Sequence, residues 1–302
     1  MKLHTVQSVI ALGLALHLSG VSLAAPPVIG TVAAKGSFRL DNATVAGNAT
    51  LVEGATLETS QAVSSVALNS GARLTLGAAS KGRLFGDHIV LEKGESRLQN
   101  GAGFRFEAQG LTIQPETGGT EGRVAIPAQN RVLVAAVKGS FRVLNSRGVL
   151  VANLPTGAAL EFEPQQSSTA SRVTGCLQNK GGRFVLTDET TNVTVEVAGS
   201  GVEREVGNRV EVTGTLDASA TPVSEASQFI RATRINRIAR GCSTGPGAAP
   251  AGVGGGGKAA GAAAAKPLTS IIAIVGGVAA AATVGGLAAS GSFSGDQQTT
   301  SR

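Results

Sequence analysis

Lys35-Gly-Ser-Phe-Arg39 and Lys138-Gly-Ser-Phe-Arg142 are the same five residues at two places in this chain. The match continues in register without gaps, so the two copies of an internal repeat cover 35–58 and 138–161. Each copy has the pattern of a β-hairpin followed by a third strand, with an Asn-containing turn and a Leu-x-x-Gly step. The repeat therefore predicts how the strands are arranged, and it does not indicate a catalytic or binding activity. The shared positions are Asn42 and Asn145, Ala49 and Ala152, Leu51 and Leu154, Gly54 and Gly157, Leu57 and Leu160, and Glu58 and Glu161.

The composition indicates an all-β protein. The 302 residues include 42 Gly but neither Trp nor Tyr, which favours short strands and tight turns over long helices. We expect the Gly of each Leu-x-x-Gly step to supply the positive φ of a turn and the Leu to be buried. A β-sandwich or short β-roll is therefore predicted for residues 25–166. The four steps are Leu51 to Gly54, Leu68 to Gly71, Leu91 to Gly94 and Leu154 to Gly157.

The first 24 residues have the layout of a secretory signal peptide. Lys2 precedes an uncharged, mostly apolar stretch, and Ser22-Leu-Ala24 provides a small-x-small cleavage site. We therefore expect residues 1–24 to be removed and the mature chain to be exported to a periplasmic or extracytoplasmic location. An uncleaved membrane anchor is the alternative, although the apolar stretch is short for a full span.

Three segments of the first domain carry a resemblance to a known family. They are Leu51-Val-Glu-Gly-Ala-Thr-Leu-Glu-Thr-Ser60, Ser65-Val-Ala-Leu-Asn-Ser-Gly-Ala-Arg-Leu74 and Val90-Leu-Glu-Lys-Gly-Glu95. Together they resemble the extracytoplasmic domain of FecR-like proteins. That family is named for the sensor that relays the occupancy of an outer-membrane transporter to a sigma factor. The resemblance implies a β-rich sensing or protein-interaction domain in the cell envelope.

Residues 171–242 form a second predicted domain. Its strands are predicted at 172–177, 183–187, 193–197, 209–215 and 229–238, with a short segment at 201–206 after the third strand. Five strands with a break after the third are typical of an OB-fold. The segments Val173-Thr-Gly-Cys-Leu-Gln178 and Phe184-Val-Leu-Thr-Asp188 resemble small exported OB-like domains of unknown function.

The two cysteines, Cys176 and Cys242, bracket the OB-like domain. An even number of cysteines in an exported chain predicts a structural disulfide. If the first and last strands of the domain are neighbours, the bond clamps the barrel closed. The alternative, a redox-active dithiol, is usually Cys-x-x-Cys, and the spacing of the two cysteines does not match it.

The C-terminal part of the chain changes composition twice. Residues 243–266 are nearly all Gly, Ala and Pro, which predicts a linker. Within 267–290, the stretch 271–289 carries no charge, and its length predicts a transmembrane helix that anchors the protein in the inner membrane. Small-x-x-x-small spacing in that helix suits self-association in lipid. The alternatives are a surface-bound Ala-rich helix and disorder, and residues 291–302 form a tail.

Side chains for catalysis are scarce in the mature chain. His88 is its only histidine, which leaves no catalytic triad or histidine-based metal site, and we expect it to flank a turn at the surface. Glu161 and Glu163 share a predicted strand face, as do Glu203 and Glu205 if extended, and a hydrolase would need such a carboxylate pair. Exposed acids on half-buried strands are the simpler interpretation. We therefore expect that the protein is not an enzyme and that it binds neither a cofactor nor a metal ion.

Four arginines recur at every third residue near the end of the second domain: Arg231, Arg234, Arg237 and Arg240. They suggest an anion-binding stripe for lipid headgroups or acidic glycans, yet a spacing of three alternates faces on a strand. Charges that protect an edge strand from aggregation are the alternative. The net charge of +6 is spread along the chain, so no nucleic-acid partner is expected.

The sequence as a whole predicts an exported, membrane-anchored envelope protein with a sensing or protein-interaction role. In this hypothesis, strand edges and loops of the first domain dock an envelope protein. The alternatives are a structural envelope scaffold and a protein that binds glycan or anionic lipid without signalling.

Overall fold

The computed structural model describes residues 25–101, 103–164, 170–242, 272–275 and 278–282. Strand accounts for 64% of the structure and helix for 2%, which confirms the predicted all-β class. The predicted signal peptide 1–24, linker 243–266 and tail 291–302 lie outside the described residues.

The described residues form 21 strands and one short 3₁₀ helix, Val202–Glu205. The strands of the first predicted domain are β1 Val28–Leu40, β2 Ala43–Val52, β3 Ala55–Thr59, β4 Ser64–Leu68, β5 Arg73–Leu76, β6 Lys81–Leu84, β7 His88–Gln99, β8 Arg105–Ala108, β9 Leu111–Pro115, β10 Glu121–Ala128, β11 Arg131–Lys138, β12 Phe141–Asn145, β13 Leu150–Leu154 and β14 Ala159–Pro164. The remaining strands are β15 Ala170–Lys180, β16 Arg183–Thr187, β17 Thr194–Ala198, β18 Arg209–Leu216, β19 Gln228–Ala239, β20 Ile272–Val275 and β21 Val278–Ala282.

Six strands of the first domain close into an antiparallel barrel. β1 pairs with β4, β4 with β5, and β5 with β7. The ring returns from β7 through β6 and β3 to β1. Two layers, β1–β4–β5–β7 and β1–β3–β6–β7, thus share the long strands β1 and β7. The predicted sandwich or β-roll is wrong in this respect, because alternation identifies buried faces but not the pairings that close a ring.

A cluster of buried hydroxyl groups lies where the two layers of the barrel separate. The Thr59 hydroxyl donates to the Gly77 carbonyl at 2.5 Å and accepts from the Ser80 amide at 2.9 Å. The Ser80 hydroxyl in turn accepts from the Glu95 amide at 2.9 Å. These hydrogen bonds pair backbone N–H and C=O groups in the bend where β5 ends and β6 begins. They also connect that bend to the middle of β7.

The second copy of the repeat is built on the opposite edge of β7. β10 pairs with β7 in antiparallel orientation and β8 pairs with it in parallel orientation. β11 continues from β10, and β12 pairs with β9, so that Lys138-Gly-Ser-Phe-Arg142 connects β11 to β12. Phe38 and Phe141, the aromatic residues of the two copies, are 2% and 1% exposed. The repeat thus supplies equivalent core residues on the two sides of β7.

The two copies differ in the neighbours of their third strands. In the first copy β3 pairs with the end of β1, at Phe38–Leu40. In the second copy β14 pairs with β11, which precedes the pentapeptide. The same local pattern therefore serves two different pairings, since tertiary packing decides the neighbour of a strand.

The positive φ and the buried leucine predicted for the Leu-x-x-Gly steps are confirmed at all four places, but the predicted turn is wrong for Gly94. Gly54, Gly71, Gly94 and Gly157 have φ of 81°, 88°, 76° and 83°. The four leucines are buried, with 6% exposure or less: Leu51, Leu68, Leu91 and Leu154. Gly94 differs from the other three because it lies inside β7, beside the buried hydroxyl cluster, and not in a turn.

The second domain contains the five predicted strands and also forms a closed ring. β15 pairs with β16, β16 with β17, and β17 with β19 in parallel orientation. β19 then pairs with β18, and β18 with β15. The 3₁₀ helix Val202–Glu205 occupies the segment predicted after the third strand.

Cys176 and Cys242 form a disulfide with a Cα–Cα distance of 5.7 Å. The expected neighbourhood of the first and last strands is wrong, because β15 and β19 do not pair with each other but lie on the two sides of β18. Cys176 is opposite Arg209, the first residue of β18, and Arg209 is opposite Ala239. The disulfide therefore links the two strands across the beginning of β18.

The C-terminal helix predicted at 267–290 is replaced, in the described part of this region, by strands β20 and β21. They pair in antiparallel orientation, with Val275 opposite Val278. A short apolar run does not distinguish strand from helix by periodicity, which explains the error. The described residues contain no helix of the length and hydropathy needed to cross a bilayer.

Candidate functional site

A tight turn joins β1 to β2 and makes the first Lys-Gly-Ser-Phe-Arg segment part of a hairpin. Asp41 and Asn42 have φ of 48° and 70°, as the two central residues of a type I′ turn require. The Asp41 carboxylate also accepts a hydrogen bond from the Thr56 amide at 2.8 Å. The turn is thereby anchored to the segment that enters β3.

The hairpin is irregular at its middle. The pairing of β1 with β2 shifts between Ala33 and Ser37, which leaves Ala34, Lys35 and Gly36 without partners in β2. Gly36 and Gly47 both have positive φ, of 132° and 81°, which residues with a β-carbon rarely adopt. Lys35 is exposed at this bulge, and it has no ion-pair partner among the described residues.

The outer edge of β2 is uncovered in the described part of the structure. This strand is ten residues long and pairs with β1 alone. Most of it is exposed, from Ala43 to Thr50, and its sequence contains neither proline nor a charged residue. Natural sheets usually protect a long edge with proline, charge, a β-bulge or a covering element, and among the described residues β2 has only the irregularity near Gly47. β2 therefore retains backbone groups that another chain can pair with.

β13 is the counterpart of β2 in the second copy, because each strand forms a hairpin with the repeated pentapeptide segment. Its outer side is covered by the second domain. The Asn153 amide donates to the Thr191 carbonyl at 2.7 Å, and the Asn153 side chain donates to the Asn192 carbonyl at 3.1 Å. The Gln228 side chain donates to the Leu150 carbonyl. In the second copy of the repeat, the strand equivalent to β2 therefore already docks a folded domain.

A buried carboxylate supports the loop that docks on β13. Asp188 accepts hydrogen bonds from the Thr174 amide at 2.7 Å and from the Thr191 amide and hydroxyl, each at 2.8 Å. Burial raises the pKa of Asp188 above its usual value, against the opposing effect of these donors. The spacing Asp-x-x-Thr, which is common in turns, is the one local signal of this role in the sequence.

The edge of β14 is also covered. β21 pairs with it from Leu160 opposite Ala282 to Pro164 opposite Val278. Phe162 of β14 is fully buried, and Ala280 opposite it is 1% exposed. Both outer strands of the second copy are thus covered by other parts of the chain, whereas no described residue covers the outer edge of β2.

The four predicted anion-binding arginines do not form one stripe. A bulge places Arg234 opposite Thr213 and Ala232 opposite Gly214, so Arg231 and Arg234 share the outer face of β19. The expectation of strict alternation is therefore wrong for this pair. Arg237 lies opposite Val210, and Arg240 is exposed beyond the strand.

Two of these arginines already have acidic partners. The Arg231 guanidinium contacts Asp217 at 2.6 Å, and Arg237 binds both carboxylate oxygens of Glu205 at 2.6 and 2.8 Å. Hydrogen bonds from Ser219, together with Arg231, lower the pKa of Asp217 to about 2. Arg234 has no acidic partner within the described residues and lies, with Arg172, on either side of Thr213.

Neither of the two carboxylate pairs considered for a hydrolase consists of two unpaired acids on an extended strand. Arg131 contacts Glu161 at 3.1 Å and Glu163 at 3.2 Å. Glu203 and Glu205 lie on the 3₁₀ helix rather than on an extended strand. The described residues hold no group of three or more His, Cys, Asp or Glu arranged for a metal ion.

His88 is less exposed than predicted, with 16% of its side chain accessible. Its ring stacks on Phe85 with centroids 4.2 Å apart, and its Nδ1 is 2.6 Å from Asp87. Hydrogen bonds from His88 and Arg105 lower the pKa of Asp87. The order Phe85-Gly-Asp-His88 brings the two rings together at the start of β7, and the sequence alone does not indicate this packing.

Comparison with known proteins gives no family assignment: no family model matches this chain, and neither a curated protein nor a solved structure shows significant similarity to it.

Proposed function

We propose that this chain is an exported envelope protein that works as a protein-interaction module, and that its partner docks on the outer edge of β2. The carrying observation is the contrast between two equivalent strands. β13 uses its outer side to hold the second domain, whereas β2 leaves the corresponding edge open. The module is of the FecR-like kind, as the resemblance of its first domain implies.

The partner of this edge is a polypeptide segment in extended conformation, added as an antiparallel strand. An open strand edge offers alternating N–H and C=O groups, which only another backbone satisfies along its whole length. β21 on β14 is an example of such an addition within this chain, and its side chains are small. The exposed Lys35 favours an acidic residue in the partner segment near the bulge.

The disulfide supports an extracytoplasmic location, because such bonds persist in oxidising compartments. The predicted signal peptide agrees with this location. In the second domain, the strand order β15–β16–β17–β19–β18 supports the OB-like assignment, with the 3₁₀ helix between the third and fourth strands. In this account the second domain supports β13 and leaves docking to the first.

Binding of an acidic glycan or anionic lipid is the second candidate function. The observation in its favour is the row of Arg172, Thr213 and Arg234 on adjacent strands of the second domain. Binding through this row weakens with added salt and on changing Arg172 and Arg234 to Gln. Docking on β2 is insensitive to the two arginine substitutions, and it depends less on salt because backbone hydrogen bonds carry most of it.

A photo-crosslinking amino acid at Ala46 of β2 tests the proposal in living cells, with the same group at Gln178 as control. Both positions are exposed. We expect one defined protein adduct from Ala46 and none from Gln178. Adding Asn48→Lys and Thr50→Lys should abolish the adduct, since edge lysines discourage strand addition. Identical adducts from both positions, or an adduct that survives the two lysines, would contradict docking on β2.

The captured protein is then produced and mixed with the purified chain. Binding should be stoichiometric, and hydrogen exchange should show new protection in 43–52 and in one segment of the partner. Protection confined to other strands would also overturn the proposal.

A further inference from the structure

The hairpin formed by β20 and β21 is separated from the second domain by a long stretch of chain. Cys242 is the last described residue before Ile272. Roughly thirty residues lie between them, and a chain of that length reaches up to about 100 Å when extended. The connecting segment is therefore long enough for the hairpin to bind either its own molecule or a neighbouring one.

The hairpin docks mainly on β14 of the first domain and also contacts β15 of the second domain. Five residues of β21 pair in register with β14. Val278, Ala279 and Ala280 are buried, with exposures of 4%, 8% and 1%. Ile274 of β20 adds a bridge to Arg172 of β15. Every one of these contacts is also available to a hairpin from another molecule.

From this arrangement we propose that the hairpin exchanges between copies of this chain, so that β21 of one molecule adds to β14 of a second molecule. The choice between the two arrangements depends on concentration, because the contacts are the same. The Gly/Ala-rich sequence of 243–266 predicts a linker that holds its end at an effective concentration of roughly millimolar. For a 30.0 kDa chain, exchange then competes near about 30 mg/ml.

The geometry of exchange decides the product. Mutual exchange gives a closed dimer with two-fold symmetry, while one-way exchange leaves a free hairpin and a free β14 that extend into chains. Envelope proteins that are locally concentrated would thus assemble through an edge that the isolated molecule covers by itself. This self-association is independent of any partner on β2.

Cysteine pairs across the strands provide the test. Glu161 and Ala281 are directly opposite in the register of β14 and β21, and both side chains are partly accessible. In a single chain, Glu161→Cys with Ala281→Cys should form an intramolecular disulfide in dilute solution. Failure of this variant to crosslink would show that the hairpin does not lie on β14 and would overturn the proposal.

Two differently tagged copies then report exchange. One carries Glu161→Cys and the other Ala281→Cys, so only an intermolecular bond joins the new cysteines. We expect this bond to accumulate on mixing, faster at higher protein concentration, with the 161–281 link identified by peptide mapping. The matched control replaces Glu161→Cys with Asn48→Cys on the open edge of β2. The control should crosslink at least about tenfold more slowly, because binding at β14 raises the effective concentration of the paired thiols.

Two results would refute exchange: no intermolecular product after mixing near about 30 mg/ml, the concentration set by the tether, or equal rates for the β14 pair and the β2 control. The second result would mean that the hairpin adheres to any open edge or that the thiols meet by random collision. Failure of docking on β2 leaves this measurement unaffected, since only purified copies of this chain are present.

Discussion

Gly94 and Gly71 provide a matched pair of substitutions that tests how the first barrel is closed. Both belong to Leu-x-x-Gly steps and both have positive φ, of 76° and 88°. A β-carbon at position 71 meets nothing within 4 Å. At position 94 it would lie 2.5 Å from the Cα of Ser80, in the bend between β5 and β6. The pair therefore separates backbone strain from steric overlap at the bend.

The expected magnitudes follow from these contacts. Placing alanine at positive φ costs about 1–2 kcal/mol, and the lower entropy of the unfolded chain offsets about 0.4–1 kcal/mol of that. Gly71→Ala should therefore destabilise the protein by about 1 kcal/mol. Gly94→Ala adds overlap that costs about 1–3 kcal/mol. It also disturbs the buried bond from the Glu95 amide to Ser80, worth about 1 kcal/mol or more. We expect a total near 4 kcal/mol for this variant.

Urea unfolding followed by far-ultraviolet circular dichroism measures the difference, since the chain has no Trp or Tyr for fluorescence. The native disulfide stays oxidised in all samples so that the unfolded states are comparable. Equal destabilisation by Gly94→Ala and Gly71→Ala would refute the packing of β7 against the bend. A large effect of Gly71→Ala alone would refute the assignment of its turn as sterically open.

Three further predictions concern stability. Changing Cys176 and Cys242 to Ala should cost about 4 kcal/mol, because the bond closes a loop of 66 residues; an unchanged urea midpoint would argue against a structural bond. Thr59→Val should cost about 1–3 kcal/mol by leaving the Ser80 amide unpaired, and Thr59→Ser should retain most of the stability. The depressed pKa of Asp217, about 2, gives stability that is present above pH 4 and lost as the pH falls towards 2. Asp217→Asn should therefore flatten the acid limb of the stability profile, and an unaltered limb would contradict that assignment.

Local pattern was sufficient to predict most strands of the second domain. The predicted strand at 183–187 has the bounds of β16, and the other four differ by a few residues. The Leu-x-x-Gly steps also held, because both requirements are local: a residue without a β-carbon at positive φ, and a leucine on the buried face. The cysteine pair was predicted from count and compartment alone.

The neighbours of the strands were not predictable from the same pattern. Alternation in β3 and β14 is equivalent, yet β3 pairs with the end of β1 and β14 with β11. The bulge at Thr233, which brings Arg231 and Arg234 to one face, is set by the register of β18 against β19. Register and ring closure depend on the whole set of pairings and not on any one segment.

The site was only partly visible in the sequence. The repeated pentapeptide pointed to the hairpin that carries the proposed docking edge, but the contrast between the edges of β2 and β13 among the described residues exists only in the folded chain. The apolar run at 271–289 suggested a membrane helix, whereas its described residues form a hairpin on β14. The sequence shows how long and how apolar such a segment is, but it does not identify the surface that the segment contacts.

Hydrogen exchange on the purified full chain, resolved to single amides, tests the central claim most directly. The account predicts that amides of β2 directed away from β1 exchange at rates close to those of free peptide, whereas the Asn153 amide, bonded to the Thr191 carbonyl, is protected. Strong protection along both edges of β2 in the isolated protein would mean that this edge is already covered and would contradict the proposed docking surface.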